Sequence, residues 1–211
     1  MSKQRPPVLD TELAPAKLTD LADADLDSVQ IDGSSVAKQR SSCVRFNSVR
    51  IIGGDFSETL IRALNWVDVE CLKSQFSMCE WPEAKLTRVV LRDSRATGLR
   101  LERSELGDVR FVGCQLDYAS FTRAAFCRVT FESCRLRNAD FGGADLRGTT
   151  FLQCDLQGAN FIGARLDGVD MRTSSGGDIE VEARDVKGLI VNSQQATALA
   201  RLLGLVVRDN G

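Results

Sequence analysis

Asn138-Ala139-Asp140-Phe141-Gly142-Gly143-Ala144-Asp145-Leu146-Arg147-Gly148 contains two successive copies of one phrase, Ala-Asp-Phe-Gly-Gly and Ala-Asp-Leu-Arg-Gly. Each copy reads small residue, polar residue, large apolar residue, then two surface residues. A period of five fits neither the 3.6 of a helix nor the 2 of a strand, so the phrase has to be followed as an internal repeat. Outward from this stretch, the large apolar position recurs at every fifth place from Leu21 to Met171, 31 positions of which only Ser41 is polar. All ten phenylalanines and both tryptophans fall in this register, which makes it the core line. Two places before each centre lies a second inward position. It is small almost throughout, with Gln39, Leu64 and Leu99 as the exceptions. A large and a small residue repeated without slippage describe a narrow tube of fixed bore.

The copies closest to one another run through Ala139–Gly168: Ala-Asp-Phe-Gly-Gly, Ala-Asp-Leu-Arg-Gly, Thr-Thr-Phe-Leu-Gln, Cys-Asp-Leu-Gln-Gly, Ala-Asn-Phe-Ile-Gly, Ala-Arg-Leu-Asp-Gly. This pattern resembles the pentapeptide-repeat family, whose consensus is A(D/N)LXX. The resemblance implies an all-β solenoid, a right-handed quadrilateral β-helix in which four phrases make one square coil. On that reading the chain has about eight coils and a short C-terminal α-helix cap. Residues 1–18 are expected to be an N-terminal cap with a loose start, 19–173 the β-helix, and 174–211 a last coil followed by the helix.

In such a coil, residues four phrases apart stack. Phe111, Phe131 and Phe151 then form one column, Phe121, Phe141 and Phe161 another, and Leu116, Leu136 and Leu156 a third. Cys114, Cys134 and Cys154 also share a column, continuing Ser74 and Ser94. Neighbours in a column point the same way, which suits neither tetrahedral metal ligation nor disulfide geometry. The expectation is therefore small buried residues rather than a thiol site, with outward Cys43 and Cys127 the more reactive thiols.

Composition narrows the function classes. The net charge is −2 over 27 basic and 29 acidic residues, which argues against a nucleic-acid-binding surface. No stretch is long and apolar enough for a membrane span, and no apolar run follows the basic start, so no secretory signal is expected. Seven cysteines without metal-ligand spacing read as free thiols in a reducing, cytoplasmic compartment. The chain has no histidine, which removes the commonest general base and the common zinc motifs. Glycines such as Gly142, Gly143 and Gly158 belong to the repeat, so no phosphate loop is read from them. No catalytic residue, cofactor site or metal site is expected.

Function is then sought on the surface. Ile52, Leu72, Val112 and Leu152, with Val90 beside them, form an interrupted apolar stripe and a candidate interface. After Met171 the phrase stops, and Thr173–Gly177 reads as a loop. Ile179–Ala183, Val186–Val191 and Leu205–Val207 read as strand-like, and Ser193 as the N-cap of a helix over Gln194–Leu203. Ala196, Leu199, Ala200 and Leu203 share one face of that helix. The tail is similar to that of the quinolone-resistance members of the family, in which a C-terminal helix joins two rods and the rod binds DNA gyrase or topoisomerase IV by resembling B-form DNA. The resemblance implies a candidate homodimer helix and a gyrase-type protein partner. Against a DNA mimic, residues 23–172 hold 21 acids and 20 bases. Two readings follow: a non-catalytic scaffold for a protein partner, most concretely a topoisomerase, or a structural and self-assembly module with no enzyme target.

Overall fold

A computed structural model describes residues 4–176, 178–202 and 204–208. The chain forms a parallel β-solenoid. Its main sheet stacks the strands Ala14–Ala16, Asp25–Asp32, Val44–Ile52, Leu64–Leu72, Lys85–Arg92, Arg110–Val112, Thr130–Glu132 and Thr150–Leu152 in that order. The register advances four phrases per turn: Ile31 pairs with Ile51, Ile51 with Cys71, Cys71 with Leu91, Leu91 with Phe111, Phe111 with Phe131 and Phe131 with Phe151. From Ile31 to Phe151 these pairings complete six turns, fewer than the eight coils expected. Beyond Thr150 single bridges carry the stack on, Thr150–Asp170 and Asp170–Ile190 on this side and Asp155–Ser175 and Asn160–Glu180 on others. The phrases there are glycine-rich, and glycine weakens a strand.

Four backbone interactions hold each phrase. The residue before the centre donates its N–H back to the preceding coil, as Asp140 does to Ala119 O (2.8 Å) and Asn160 to Ala139 O (2.9 Å). The centre donates its N–H to the carbonyl just before its stacked partner in the next coil, as Phe121 does to Asp140 (2.7 Å) and Phe141 to Asn160 (2.8 Å). The corner residue, two places after the centre, bonds to the next coil in the same way, as Tyr118 to Arg137 and Asn138 to Gln157 (both 2.9 Å). The next small residue closes a turn onto the centre, as Ala139 to Leu136 (3.1 Å) and Ala144 to Phe141 (3.0 Å). The corner residue is left-handed, with φ 58° at Tyr118, 54° at Asn138 and 66° at Gly143. That conformation costs an L-residue about 1–2 kcal/mol, and the inter-coil hydrogen bond at the same residue offsets it.

The core columns stack as the register requires. Phe131 lies between Phe111 and Phe151, with ring centroids 4.8 and 5.0 Å away and planes within 5°. Phe141 sits likewise between Phe121 and Phe161, at 5.1 and 5.0 Å. These separations match the spacing of paired strands, so each ring rides on its own coil. The small inward position is a steric requirement: a Cβ added to Gly54 would lie 2.7 Å from Ile51 Cγ2.

The cysteine column takes the place of serine. Ser74 Oγ donates to Leu72 O and accepts from Gly54 N, and Ser174 Oγ donates to Phe151 O and accepts from Cys154 N. In the same column the thiols of Cys114, Cys134 and Cys154 donate to the carbonyls of Leu91, Phe111 and Phe131 at 3.3–3.4 Å. The Cys134 thiol is pushed up by the neighbouring thiols of Cys114 and Cys154 in the column and by burial. All seven cysteines are free. Cys127 is exposed and Cys43 half-buried, while the other five are buried.

The C-terminal end differs from the sequence reading in four ways. Thr173–Gly177 does not leave the solenoid: Ser174 is buried and Ser175 bridges Asp155, so the coil continues, with Gly177 outside the described residues. Residues 179–191 contribute bridges at Glu180 and Ile190 rather than strands, because a turn at Glu182–Asp185 interrupts the alternation. Leu205–Val207 forms no strand among the described residues. It is exposed and has no neighbour to pair with among them. The helix runs Ser193–Leu202, and its N-cap is Asn192 rather than Ser193. Asn192 Oδ1 accepts from Gln195 N and Gln195 Oε1 accepts from Asn192 N, both at 2.9 Å, a reciprocal capping box. Gln195 also donates from Nε2 to Met171 O and Ser174 O (both 2.8 Å), which closes the end of the tube. Past the helix, Gly204 is left-handed (φ 78°) and Leu205 N donates to Ala200 O, the hydrogen bond of a Schellman cap.

Removing one ring should open a cavity between two others. Phe131→Ala is expected to lower unfolding free energy by about 3–5 kcal/mol, with Phe131→Leu losing less, in urea titrations. A loss below about 1 kcal/mol would mean that the ring columns do not carry the core.

Candidate interaction surface

The outward residues stand in rows because the coils stack in strict register. One row runs Asp25, Arg45, Asn65, Lys85, Glu105, Ala125, Asp145 and Arg165. Its acids face bases one coil away: Asp25–Arg45 at 3.9 Å, Glu105–Lys85 at 3.8 Å and Asp145–Arg165 at 3.4 Å. These are exposed pairs of small energetic value, but they balance the charge of the row. Arg147 adds a fork onto Asp145 at 2.7–2.8 Å, and its hydrogen bonds hold the Asp145 carboxyl below the ordinary carboxylate range.

The apolar stripe is only partly a surface. Ile52 and Leu72 are stacked neighbours and half-buried, as is Val112. Leu152 is 37% exposed. Val90 departs from the expectation, being 7% exposed, because it pairs between Glu70 and Arg110, whose longer side chains flank it. Arg92 and Glu132 interrupt the row, and an Arg110–Glu132 ion pair at 2.8 Å lies on the same side. On the C-terminal helix Leu199 packs against the core, Ala200 is half-buried and Ala196 is exposed. Leu203 lies outside the described residues. At the end of the rod, Leu202, Leu205, Val206 and Val207 are exposed apolar side chains.

The N-terminal segment is the feature that the sequence reading misses. A loose start is expected there, yet residues 4–10 lie along one corner of the solenoid. Gln4 Nε2 donates to Val109 O (2.7 Å) and Arg128 O (2.9 Å), and Thr130 Oγ1 donates to Gln4 Oε1 (3.1 Å). Arg5 N donates to Asp108 Oδ1 (3.0 Å), Val8 N to Asp68 Oδ1 (2.8 Å) and Asp10 N to Ser48 Oγ (2.8 Å). Ser28 Oγ donates to the Asp10 carboxylate. Ala14–Ala16 then pairs with Val29–Ile31, and Leu18 enters the core. The acceptors Ser48, Asp68 and Asp108 occupy a single corner column, which continues through Arg88 and Arg128. Their alternation from coil to coil is present in the sequence and is the signal that could have located the arm.

Each carboxylate in that column is held by an arginine one coil on. Arg88 forks onto Asp68 at 2.6–2.7 Å, and Arg128 onto Asp108 at 2.7 Å. Burial raises the Asp68 carboxyl, but hydrogen bonds from Arg88 and the Val8 N–H hold it below the ordinary range. Asp108 is lowered by the Arg128 hydrogen bond, against burial, with help from the Arg5 N–H.

Among the described residues, no three metal-ligating side chains converge. No described helix is long and apolar enough to cross a membrane. The concave surfaces are shallow and lie on the outside of the rod. One of 510 Å³ sits at the end of the arm, between Gln4, Arg128, Thr130 and Arg147. Another of 560 Å³ lies between Tyr118, Arg135 and Arg137.

A family profile described as "Pentapeptide repeat region" matches residues 69–141 and 84–161. Comparison with curated protein sequences gives no match. Among solved structures, a trypsin-treated variant of QnrB1, a plasmid-mediated fluoroquinolone resistance protein, is 18% identical over 93% of this chain and 97% of that one, with a TM-score of 0.40. HetL, a pentapeptide-repeat protein involved in heterocyst differentiation regulation in the cyanobacterium Nostoc sp. strain PCC 7120, is 17% identical over 88% of this chain and 90% of that one, with a TM-score of 0.40. Rfr23 from the cyanobacterium Cyanothece 51142 is 16% identical over 68% and 91%, with a TM-score of 0.23.

Asp68 and Asp108 give the arm a pH dependence whose sign is set by their lowered values. Such groups stabilise the docked arm above the unfolded carboxylate pKa of about 3.9, and that contribution is lost as pH falls through the lower folded values. The Arg5 and Val8 amide proton shifts should stay constant from pH 7 to about 5 and move only below about pH 4. Movement already complete at pH 5 would show that these carboxylates do not hold the arm.

Proposed function

We propose that the chain is a member of the pentapeptide-repeat family, whose profile matches residues 69–141 and 84–161, and that it is a non-catalytic scaffold that presents its outer rows to a protein partner. The observation that carries this reading is the coil-on-coil stacking. It puts the large side chains on the axis and leaves rigid rows of outward residues in strand register. A rigid, preorganised surface loses little entropy on binding, which suits recognition of a folded partner.

The most concrete partner is a DNA gyrase or topoisomerase IV type enzyme. It is suggested by the likeness of the repeats and of the C-terminal tail to the quinolone-resistance members. A DNA mimic would need its acids gathered on one face. Here the acids of the Asp25–Arg165 row are matched by bases within it, so recognition would use a mixed-charge surface instead. Gyrase supercoiling assayed with and without the purified protein tests the target. A change in supercoiling, or in its inhibition by quinolones, is expected at micromolar protein, and no effect there would remove topoisomerase from the reading.

A second reading, self-association with no enzyme target, is favoured by the exposed apolar tail, in which Val206 is 81% exposed. Sedimentation of the wild type, Leu72→Arg and Val206→Glu separates the surfaces. A dimer abolished only by Val206→Glu would place the interface at the C-terminal end, and one abolished only by Leu72→Arg would place it on the stripe. A monomer in all three would rule out self-association.

A further inference from the structure

We propose that the corner column from Ser48 to Arg128 is a binding site for an extended, proline-containing peptide of a partner protein, and that residues 4–10 are its built-in competitor. The first observation is the spacing of donors. Arg5 N and Val8 N meet Asp108 and Asp68, which are two coils apart. Two coils are about 9.6 Å at the spacing of paired strands. Three residues of polyproline II helix rise about 9.3 Å. Pro6 and Pro7 fill that interval, fix the extended conformation and bring no N–H that would need an acceptor. The corner between the two carboxylates is Arg88, which accepts nothing and donates instead to Asp68. Acceptors are thus present where the peptide has donors and absent where the prolines lie.

The second observation is burial confined to this corner. Ser48, Asp68 and Asp108 are 4%, 8% and 5% exposed. Residues at the opposite corner, two sides round, Lys38, Glu58, Met78 and Tyr118, are all exposed. The third is preorganisation. The arginine forks on Asp68 and Asp108 come from the solenoid itself, so the acceptors keep their orientation when the arm leaves. Within the arm, Arg5, Val8 and Asp10 bond through their main-chain N–H groups and Gln4 through its side chain, so the site selects an X-Pro-Pro-X backbone with a polar residue ahead of it in the place of Gln4. The arm is joined to the solenoid by the short stretch before Ala14, which puts it at an effective concentration of about millimolar for its own groove. A partner peptide therefore binds only as the arm yields. The inference goes beyond the proposed topoisomerase target, and the experiment below reads the groove alone.

The probe is the blocked synthetic peptide Gln-Arg-Pro-Pro-Val-Leu-Asp, titrated into isotope-labelled full chain and followed by amide shifts. Three proteins are compared: wild type, the Pro6→Gly/Pro7→Gly variant that loosens the resident arm, and that variant carrying Asp68→Ala and Asp108→Ala. In the glycine variant, shifts at Ser48, Asp68, Arg88 and Asp108 should saturate at about tenfold less peptide than in wild type. The variant lacking the carboxylates should show none while keeping its remaining spectrum. A control peptide with both prolines replaced by glycine should bind about tenfold more weakly. The proposal is overturned if the glycine variant shows no corner shifts at about 10 mM peptide. It is equally overturned if wild type and glycine variant saturate together, if loss of the carboxylates changes nothing, or if the control peptide binds as well.

Discussion

The hydrogen bond from each centre to the coil that follows it is the constraint on which the rest of this molecule depends. It sets the strand spacing, and the strand spacing sets the distance between stacked rings. It also fixes which residues share a row. To make that bond on all four sides of a coil, the chain must turn a tight corner in each phrase, and the corner is left-handed at residues as bulky as Tyr118 and Arg123. Local backbone preference is overruled because the corner amide is itself bonded to the next coil. Small inward residues follow from the same geometry, since the turn brings the backbone against the axis.

Much of this is legible in the sequence because the solenoid repeats one decision many times. Phe111, Phe131 and Phe151 can be assigned to one column from spacing alone, and the cysteine column can be read as small residues, because each position is constrained by copies of itself. What escapes such a reading lacks copies. The arm at residues 4–10 is held by three main-chain donors and the side chains of Gln4 and Asp10, which leave no periodic trace, and Pro6-Pro7 looks the same in a loose start as in a ruler. Asn192 and Ser193 are both good caps, and only the reach of Gln195 to Met171 and Ser174 chooses between them. Register places Val90 outward, correctly, but its burial depends on the lengths of Glu70 and Arg110 beside it.

The same regularity makes the surface hard to read for function. A row of outward residues is a row whether or not a partner uses it, and charge alternation within a row is what neighbouring coils need in order not to repel. The places where the regular pattern is broken are therefore the informative ones. One is the corner column covered by the arm, where polar side chains are buried against a segment remote from them in sequence. In a solenoid, contacts are otherwise made between neighbouring coils. Gln4, bonded to Val109 and Arg128, ties the start of the chain to the middle of the stack and makes distant coils answer to one another.

A stack of parallel strands is also a template, since its terminal edge offers unpaired groups to whatever strand comes next. Both ends of this stack carry a stopper. At the N-terminal end, Pro15 lies within the outermost strand and has no N–H to offer, and that strand joins one phrase short of a full coil, with Ala16 against Ile31. At the C-terminal end, Gln195 takes up two carbonyls of the last coil and the helix lies across it. Rod length is thus a property of the two ends and not of the repeat. Without them, the fold that gives this chain its rigidity would be an elongating seed, able to add further chains head to tail.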